Sequence, residues 1–484
     1  MKPIITTEYA PLEKVLVHTP GEEHHQLIPW IGDHPLMGPN PRQVSELQKD
    51  HDDLKQYLRE EVGPENVIEV ADLLEEIFSE ADVRQRQKIL RDTLHDTADR
   101  YMDHLQARGV QLAKYEPQKL VKDLIVGYPR KLTLNNNRLP KIIIPPKREL
   151  MWVRDSSAAT PVGVSINAMA SARRSLEPAL LRTLFKYHPM FDQDSIYLDM
   201  VGFLRDLQDD DSWSGLHLRY LMEGGNILVM SEDSIAIGVG QHDFLHNNRT
   251  TRAGFQLLVK KMLEADPERQ IRRIYLVNVP DLRGFIHLDT VFNMFGPQAG
   301  IMMPYIFGYP KPDKGSATQV LQQFMHWLRR DMGFNQADLS MIPTARSFEN
   351  AGKVEVYDRD HIDKVGKVER LPQPAPYFLD QLIKDGLIEL NRIAWIGGDP
   401  NDYASPFEHL RVALFEQHNM AGNIFTTSPY RAIAYHRNPV TTAHLEAKMK
   451  ELNPDAKLML MSSNEIRTDN GGPHCLTMPL RRKG

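Results

Sequence analysis

Cys475 is the only cysteine in 484 residues, and it stands in the stretch Asn470-Gly-Gly-Pro-His-Cys475-Leu-Thr-Met-Pro-Leu480. A thiol ionises near pH 8.5 and attacks carbon well only as the thiolate, so a nucleophilic role needs a positive charge or a base beside it. Three other polar stretches have the residue types to build such a setting: Trp152-Val-Arg-Asp155, Glu223-Gly-Gly-Asn226 and His287-Leu-Asp289. Read as a strand, His287 to Phe292 puts His287 and Asp289 on one face, an imidazole beside a carboxylate. Glu223, directly before two glycines, suits a charged group at the end of a tight turn in a pocket wall. Taken singly, each stretch also has a plainer reading: a core cysteine, a surface ion pair, a solvated turn, or a His–Asp pair at a sheet edge.

The composition narrows the field around these residues. A net charge of −6 and a pI near 6.4 leave no electrostatic footprint for nucleic acid. One cysteine excludes an intrachain disulfide framework and a cysteine-rich zinc site, and the histidines form no convincing ligand cluster, so no metal is expected. The first residues have no apolar signal core, and no uncharged apolar run approaches the roughly 20 residues of a membrane span. The expectation is a cytoplasmic enzyme with no membrane and no nucleic-acid partner.

These four stretches need elements to position them. Leu12 to His18 reads as a first strand closed by Thr19-Pro20-Gly21, and Lys141 to Ile144, Ile227 to Met230, Ser234 to Gly238, Arg273 to Asn278, Gly300 to Met303, Ile393 to Gly397, Arg431 to Tyr435, Lys457 to Met461 and Leu476 to Leu480 read as further short strands. Helices are expected at Thr251 to Ala265, Thr318 to Met332 and Thr441 to Leu452. Apolar residues at helical spacing, Val44, Leu47, His51, Leu54 and Leu58, then Leu73, Leu74, Ile77 and Phe78, then Leu90, Leu94, Ala98, Met102 and Leu105, mark 41–125 as a helical insertion. Strands and helices recur without one long βαβ series, which predicts repeated small α/β modules rather than one doubly wound sheet. The charged, proline-bearing stretch Glu349 to Asn391 reads as a surface elaboration.

With these residues in order, the chain resembles the arginine deiminases, within the guanidino-group-modifying superfamily. The resemblance is carried by Met151-Trp-Val-Arg-Asp155, Glu223-Gly-Gly, His287-Leu-Asp-Thr-Val-Phe292 and Gly471-Gly-Pro-His-Cys475-Leu-Thr-Met-Pro479, in the family's order and approximate spacing. Leu12 to His18 with Pro20-Gly-Glu-Glu-His24, Met169-Ala-Ser-Ala-Arg-Arg174 with Glu177, and His418-Asn-Met-Ala-Gly-Asn423 agree as well. It covers most of the chain apart from about 345–415. It implies an α/β fold, a five-bladed α/β propeller (pentein) forming one catalytic domain over 1–484, with the helical segment 41–125 inserted.

The resemblance also implies roles. Asp155 and Asp289 would hold a planar guanidinium by paired charge-assisted hydrogen bonds, and Cys475 would attack its carbon. His287, oriented and charged by Glu223, would protonate the departing ammonia and then activate water. In the family this converts arginine to citrulline and ammonia through a covalent thiouronium intermediate, with no cofactor. Arg174 matches an arginine that holds the substrate carboxylate, and Asn226, Asn470 and Arg249 complete the expected substrate shell. Here the sequence departs from the family: Glu149 stands where an Asn is typical, Asn226 for an Asp, Gln241 and His242 for a Glu-Arg pair, and Asn470 for a frequent Arg. Deimination or dihydrolysis of another guanidine, amidino transfer to an amine, and guanidine binding without catalysis stay open, as does a homo-oligomer.

Overall fold

The computed structural model describes all residues except 26–27, 30–36, 39–42, 96–100, 129–142, 172–173, 208–217, 241–248, 281–283, 310–319, most of 321–349, 366–374 and 484. The expected helix at Thr318 to Met332 and positions Gln241 and His242 thus lie largely or wholly outside the described residues.

Among the described residues, five open sheets of three or four strands share one construction. An antiparallel hairpin is followed by a helix, and a third strand then pairs parallel to the hairpin's second strand. Ser157–Thr160, Gly163–Ile166 and Ile196–Asp199 form one such module around the helix Leu176–Tyr187. Ile227–Ser231, Ser234–Gly240 and Arg273–Val279 form the next around Arg252–Glu264. Phe292–Gly296, Ala299–Met302 and Ile393–Trp395 form another. Phe425–Ser428, Arg431–Tyr435 and Lys457–Met461 follow, around Pro439–Leu452.

The remaining module is made from both ends of the chain. Leu12–Val17 pairs antiparallel with Met478–Arg482 and parallel with Val67–Glu69, which arrives after the helix Val44–Val62. This pairing fixes the residues just before Met478, Cys475 among them, beside the N-terminal strand.

Local chemistry explains the helices. Arg252–Glu264 buries Phe255, Leu258, Val259 and Met262, one face of a 3.6-residue period, and Thr251 caps its start by accepting from the Gly254 N–H. Each such side chain contributes roughly 1.5–3 kcal/mol by leaving water. The stripes read from the sequence in Val44–Val62 and Val70–Glu80 are buried; of the third, Leu90 and Leu94 lie on Val83–His95 and Met102 and Leu105 on Tyr101–Ala107, while Ala98 lies outside the described residues. Among the described residues no helix is long and apolar enough to cross a membrane.

Two expectations are corrected. Residues Val354–Asp358, inside the supposed surface elaboration, are a fourth strand on Arg273–Val279, and Phe378 of the helix Phe378–Lys384 packs its ring 5.3 Å from Phe292 in the core. In the sequence, the charges and the prolines at 372, 374 and 376 obscure the strand alternation of Val354, Val356 and Asp358 with Glu355 and Tyr357. The strand expected from His287 begins only at Phe292: Leu288–Thr290 is a tight 3-10 turn, held by the Thr290 hydroxyl donating to the His287 carbonyl. A short side-chain-to-backbone bond of this kind competes with extended pairing.

Candidate active site

Cys475 lies in the turn just before Met478–Arg482, not in the strand itself, which begins two residues later than the sequence pattern suggested. The turn is closed by the Leu476 N–H donating to the Gly472 carbonyl at 3.1 Å and the Thr477 hydroxyl donating to the Pro473 carbonyl at 2.9 Å. A glycine is required at 471, since a Cβ there would stand 2.4 Å from the Trp152 ring. The segment carrying Asp155 is tied to the same turn: the Arg154 backbone N–H donates to the Cys475 carbonyl, and Arg154 Nε to the Thr477 carbonyl. Arg154 is therefore a buried strut and does not form the surface pair with Asp155 that its position suggests.

Glu223 and His287 meet from two other modules. The Glu223 Oε2 atom is 2.8 Å from His287 Nε2, and its Oε1 accepts from the Ala170 N–H and lies 3.4 Å from Arg249 Nη1. Gly225 permits this approach, because a Cβ on it would fall 2.6 Å from His287 Nδ1 and 3.1 Å from Asp289 Oδ2. Asn226, buried behind them, accepts from the Leu288 N–H and donates to the Thr250 hydroxyl, so it pins the turn that carries His287 and Asp289.

The five residues expected to do chemistry are thus brought together. Single atoms of Asp155, His287 and Cys475 all lie within 4.8 Å of one another, and Cys475 Sγ is 3.6 Å from Asp289 Oδ2. His287 Nδ1 is 3.6 Å from Asp155 Oδ1. All five side chains are buried. Arg174 reaches the edge of this group, donating from Nη1 to Asp155 Oδ2 at 2.9 Å. Arg249 sits on Glu223, while Asn470 forms a left-handed turn residue, half-buried, next to Gly471.

The notable feature is what stays unsatisfied. Asp155 Oδ1, Asp289 Oδ1 and His287 Nδ1 are buried polar atoms without a hydrogen-bond partner among the described residues. Buried acceptors cost roughly 1–3 kcal/mol each when left unpaired, more when charged, so these atoms suit a ligand that supplies donors. Asp155, His287 and Cys475 also offer three of the four ligands of a tetrahedral zinc, provided the thiol is ionised. A planar cation with several N–H groups answers both orphaned carboxylate oxygens at once.

Electrostatics point the same way. Burial, reinforced by Asp289 and Asp155, pushes the Cys475 thiol well above its ordinary pKa. The contacts with Gly472 and Asn423 pull it back only in part, and a cation arriving with the ligand favours the thiolate further. Burial raises the Asp155 pKa, against the opposing pull of His287 and Arg174. Burial works against charging His287, yet Asp155 and the hydrogen bond to Glu223 raise its pKa, while Glu223 is held low, against burial, by Arg249 and His287. These neighbours favour the charged imidazole, with Nδ1 facing Asp155.

Three residues of the site were given no role by the sequence pattern. His474, beside the cysteine, places Nδ1 2.8 Å from Asp289 Oδ2 and Nε2 3.3 Å from Glu8 Oε2. Glu8 itself is buried near Arg154, and that charge with His474 outweighs burial to bring its pKa to about 2. Asn423 accepts the Cys475 N–H and donates to the Asp289 carbonyl. Adjacency marked His474 in the sequence, whereas Glu8 carried no signal. A separate cavity of about 430 Å³, lined by Leu90, Met102, Leu105 and Leu112 among others, lies in the helical segment and has none of this chemistry.

A family model described as arginine deiminase matches residues 39–345 and 408–482, leaving unmatched the stretch set apart in the sequence. Proteins named arginine deiminase from Clostridium perfringens and Listeria monocytogenes are 24% and 25% identical over 493 and 491 residues, covering 99% of this chain and 98% and 97% of theirs. A solved structure described as a DDAH mutant from Pseudomonas aeruginosa, complexed with citrulline, aligns over 96% of this chain and 98% of that one, with 11% identity and a TM-score of 0.42.

Proposed function

Because the chain belongs to the arginine deiminase family, and is with it a hydrolase of guanidino carbon–nitrogen bonds, we propose that Cys475 is the nucleophile and that water is the final acceptor. The observation that carries this reading is the pair of orphaned oxygens, Asp155 Oδ1 and Asp289 Oδ1, beside the only thiol. A guanidinium bridging them satisfies both and lowers the thiol pKa, opposing the two carboxylates that raise it.

The thiolate then adds to the guanidinium carbon. His287 gives its proton to one amino nitrogen, the C–N bond breaks, and ammonia leaves a thiouronium on Cys475. His287, now neutral, takes a proton from water as the oxygen adds to the same carbon; the C–S bond breaks and a ureido product departs. Guanidinium and water thereby become a urea and ammonium, with the thiolate and the charged His287 restored. Glu223, kept ionised by Arg249, holds His287 in the charged form that the first half needs.

Arginine, named in the relatives, is the first candidate substrate, giving citrulline. The five modules, with the two chain ends sharing one sheet, support a five-bladed propeller domain with its helical insertion drawn within 41–125. Ammonia release from arginine and other guanidines by purified protein tests the reading. Cys475→Ala should abolish it with the circular dichroism spectrum unchanged, and ordinary turnover by that variant would overturn the nucleophile assignment. Product formed only when an amine acceptor is added would favour amidino transfer.

A further inference from the structure

We propose that Glu149 makes this site select guanidino compounds whose distal end carries no free carboxylate, an amine or an amide taking its place. The inference rests on the guanidine-hydrolase reading above. Its ground is the way Arg174 is bound. This side chain, expected to hold a substrate carboxylate, is 4% exposed and already surrounded by acids. Its Nη1 donates to Asp155 Oδ2 at 2.9 Å, its Nε lies 2.8 Å from Glu177 Oε2 and 3.2 Å from Glu149 Oε2, and its Nη2 donates to the Glu149 carbonyl at 3.4 Å.

One guanidinium therefore faces three carboxylates. Ionised Asp155 and Glu177 already outnumber its single positive charge, and Glu149 sets a third carboxylate against it. Arg148 offsets part of that charge, and it does so by taking Glu149 Oε1 at 3.2 Å, which fixes the carboxylate against Arg174 rather than removing it. Burial lifts the Glu177 pKa to about 7, Glu149's charge adding to it, against the opposing pull of Arg174 and Lys147. Arg249, the other cation expected to reach a substrate carboxylate, is turned to Glu223 instead.

Asp155 ties the two ends together. Its Oδ1 faces the guanidine position and its Oδ2 holds Arg174, so Glu149 stands one guanidinium beyond the reacting centre. A substrate carboxylate reaching Arg174 would be a fourth anion on one cation, at a buried place where charge is poorly screened. An ammonium there gains Glu149 as a partner, and an amide accepts and donates without adding charge.

Binding and turnover separate this inference from the functional reading. Calorimetry with the Cys475→Ala protein compares arginine, argininamide and agmatine, the first two differing only in the carboxylate. Argininamide and agmatine should bind tighter than arginine by about tenfold or more, which is about 1.4 kcal/mol or more. Glu149→Gln, equal in size, and Glu149→Asn should each bring that ratio close to one by improving arginine. Arginine binding as tightly as argininamide in the Glu149 protein would overturn the inference, as would a ratio that survives both substitutions. If neither variant folds, the ratio in the Glu149 protein decides alone. Ammonia release from none of the three by wild type would sink the hydrolase reading, while the binding ratio would still decide the role of Glu149; binding of none would sink both.

Discussion

Replacing Asp289 by Asn should make Cys475 more reactive toward a neutral electrophile and less able to turn over a guanidine. The thiol sulfur lies 3.6 Å from Asp289 Oδ2, and that carboxylate, after burial, is the larger of two that push the thiol pKa up. At an effective dielectric constant of about 20, two unit charges at that distance repel by about 4–5 kcal/mol. His474, hydrogen-bonded to the same oxygen at 2.8 Å, shields part of this. If about half survives, the lost repulsion is about 2 kcal/mol, so the alkylation midpoint falls by about 1.5 pH units. The sign follows from charge: a neighbouring carboxylate disfavours the thiolate, and its removal favours it. Iodoacetamide alkylation against pH reads this without ambiguity, because the chain has one cysteine. In the wild-type protein a non-hydrolysable guanidine that leaves the sulfur accessible should also lower the midpoint. Turnover by the variant should fall, since one of the two carboxylate charges that meet the guanidinium is gone. A midpoint that stays in place or rises in Asp289→Asn, with the fold intact by circular dichroism, would refute the electrostatic argument.

Two further outcomes follow from the packing. Gly225→Ala places a Cβ 2.6 Å from His287 Nδ1 and should lower kcat by about a hundredfold by displacing the imidazole by up to about 1 Å; an unchanged kcat would mean His287 is not where the reaction needs it. His51 is fully buried, neither ring nitrogen has a hydrogen-bond partner, and burial brings its pKa from 6.5 to about 4. The unfolded chain therefore binds that proton first as pH falls, so stability is full above about pH 6.5 and declines toward pH 4 by up to about 3 kcal/mol. His51→Leu should flatten this slope in urea melts at pH 5 and pH 8, and an unaltered slope would exclude His51 as its source.

The parts of the site legible in the sequence were those whose chemistry is carried by side-chain type. A lone cysteine after Gly-Gly-Pro-His, a glutamate before two glycines, and His287 with Asp289 each named themselves, and all meet within a few ångströms. The reason given for the last pair was wrong in detail. His287 and Asp289 face one cavity because a 3-10 turn, pinned by Asn226 and Thr290, brings them there, not because a strand alternates. Asn226 and Arg249 were expected to touch substrate, and their contacts serve the turn and Glu223 instead.

What stayed hidden depended on long-range pairing. Glu8 reaches His474 only because the C-terminal strand pairs with the N-terminal one, 466 residues away in the chain. No local pattern announces that. The modular α/β character was readable from the succession of short strands and helices, whereas Val354–Asp358 was masked by the charge and proline content around it.

The central claim is that Cys475 forms a bond to the guanidine carbon. Rapid acid quench during turnover, followed by intact-mass measurement and peptide mapping, tests it most directly. The account predicts an adduct on Cys475 with the mass of the guanidine less one ammonia, building up in the first turnover and disappearing as substrate is exhausted. Steady release of ammonia and a ureido product with no adduct at Cys475, under quench fast enough to catch the first turnover, would contradict it, and turnover persisting in Cys475→Ala would do so decisively.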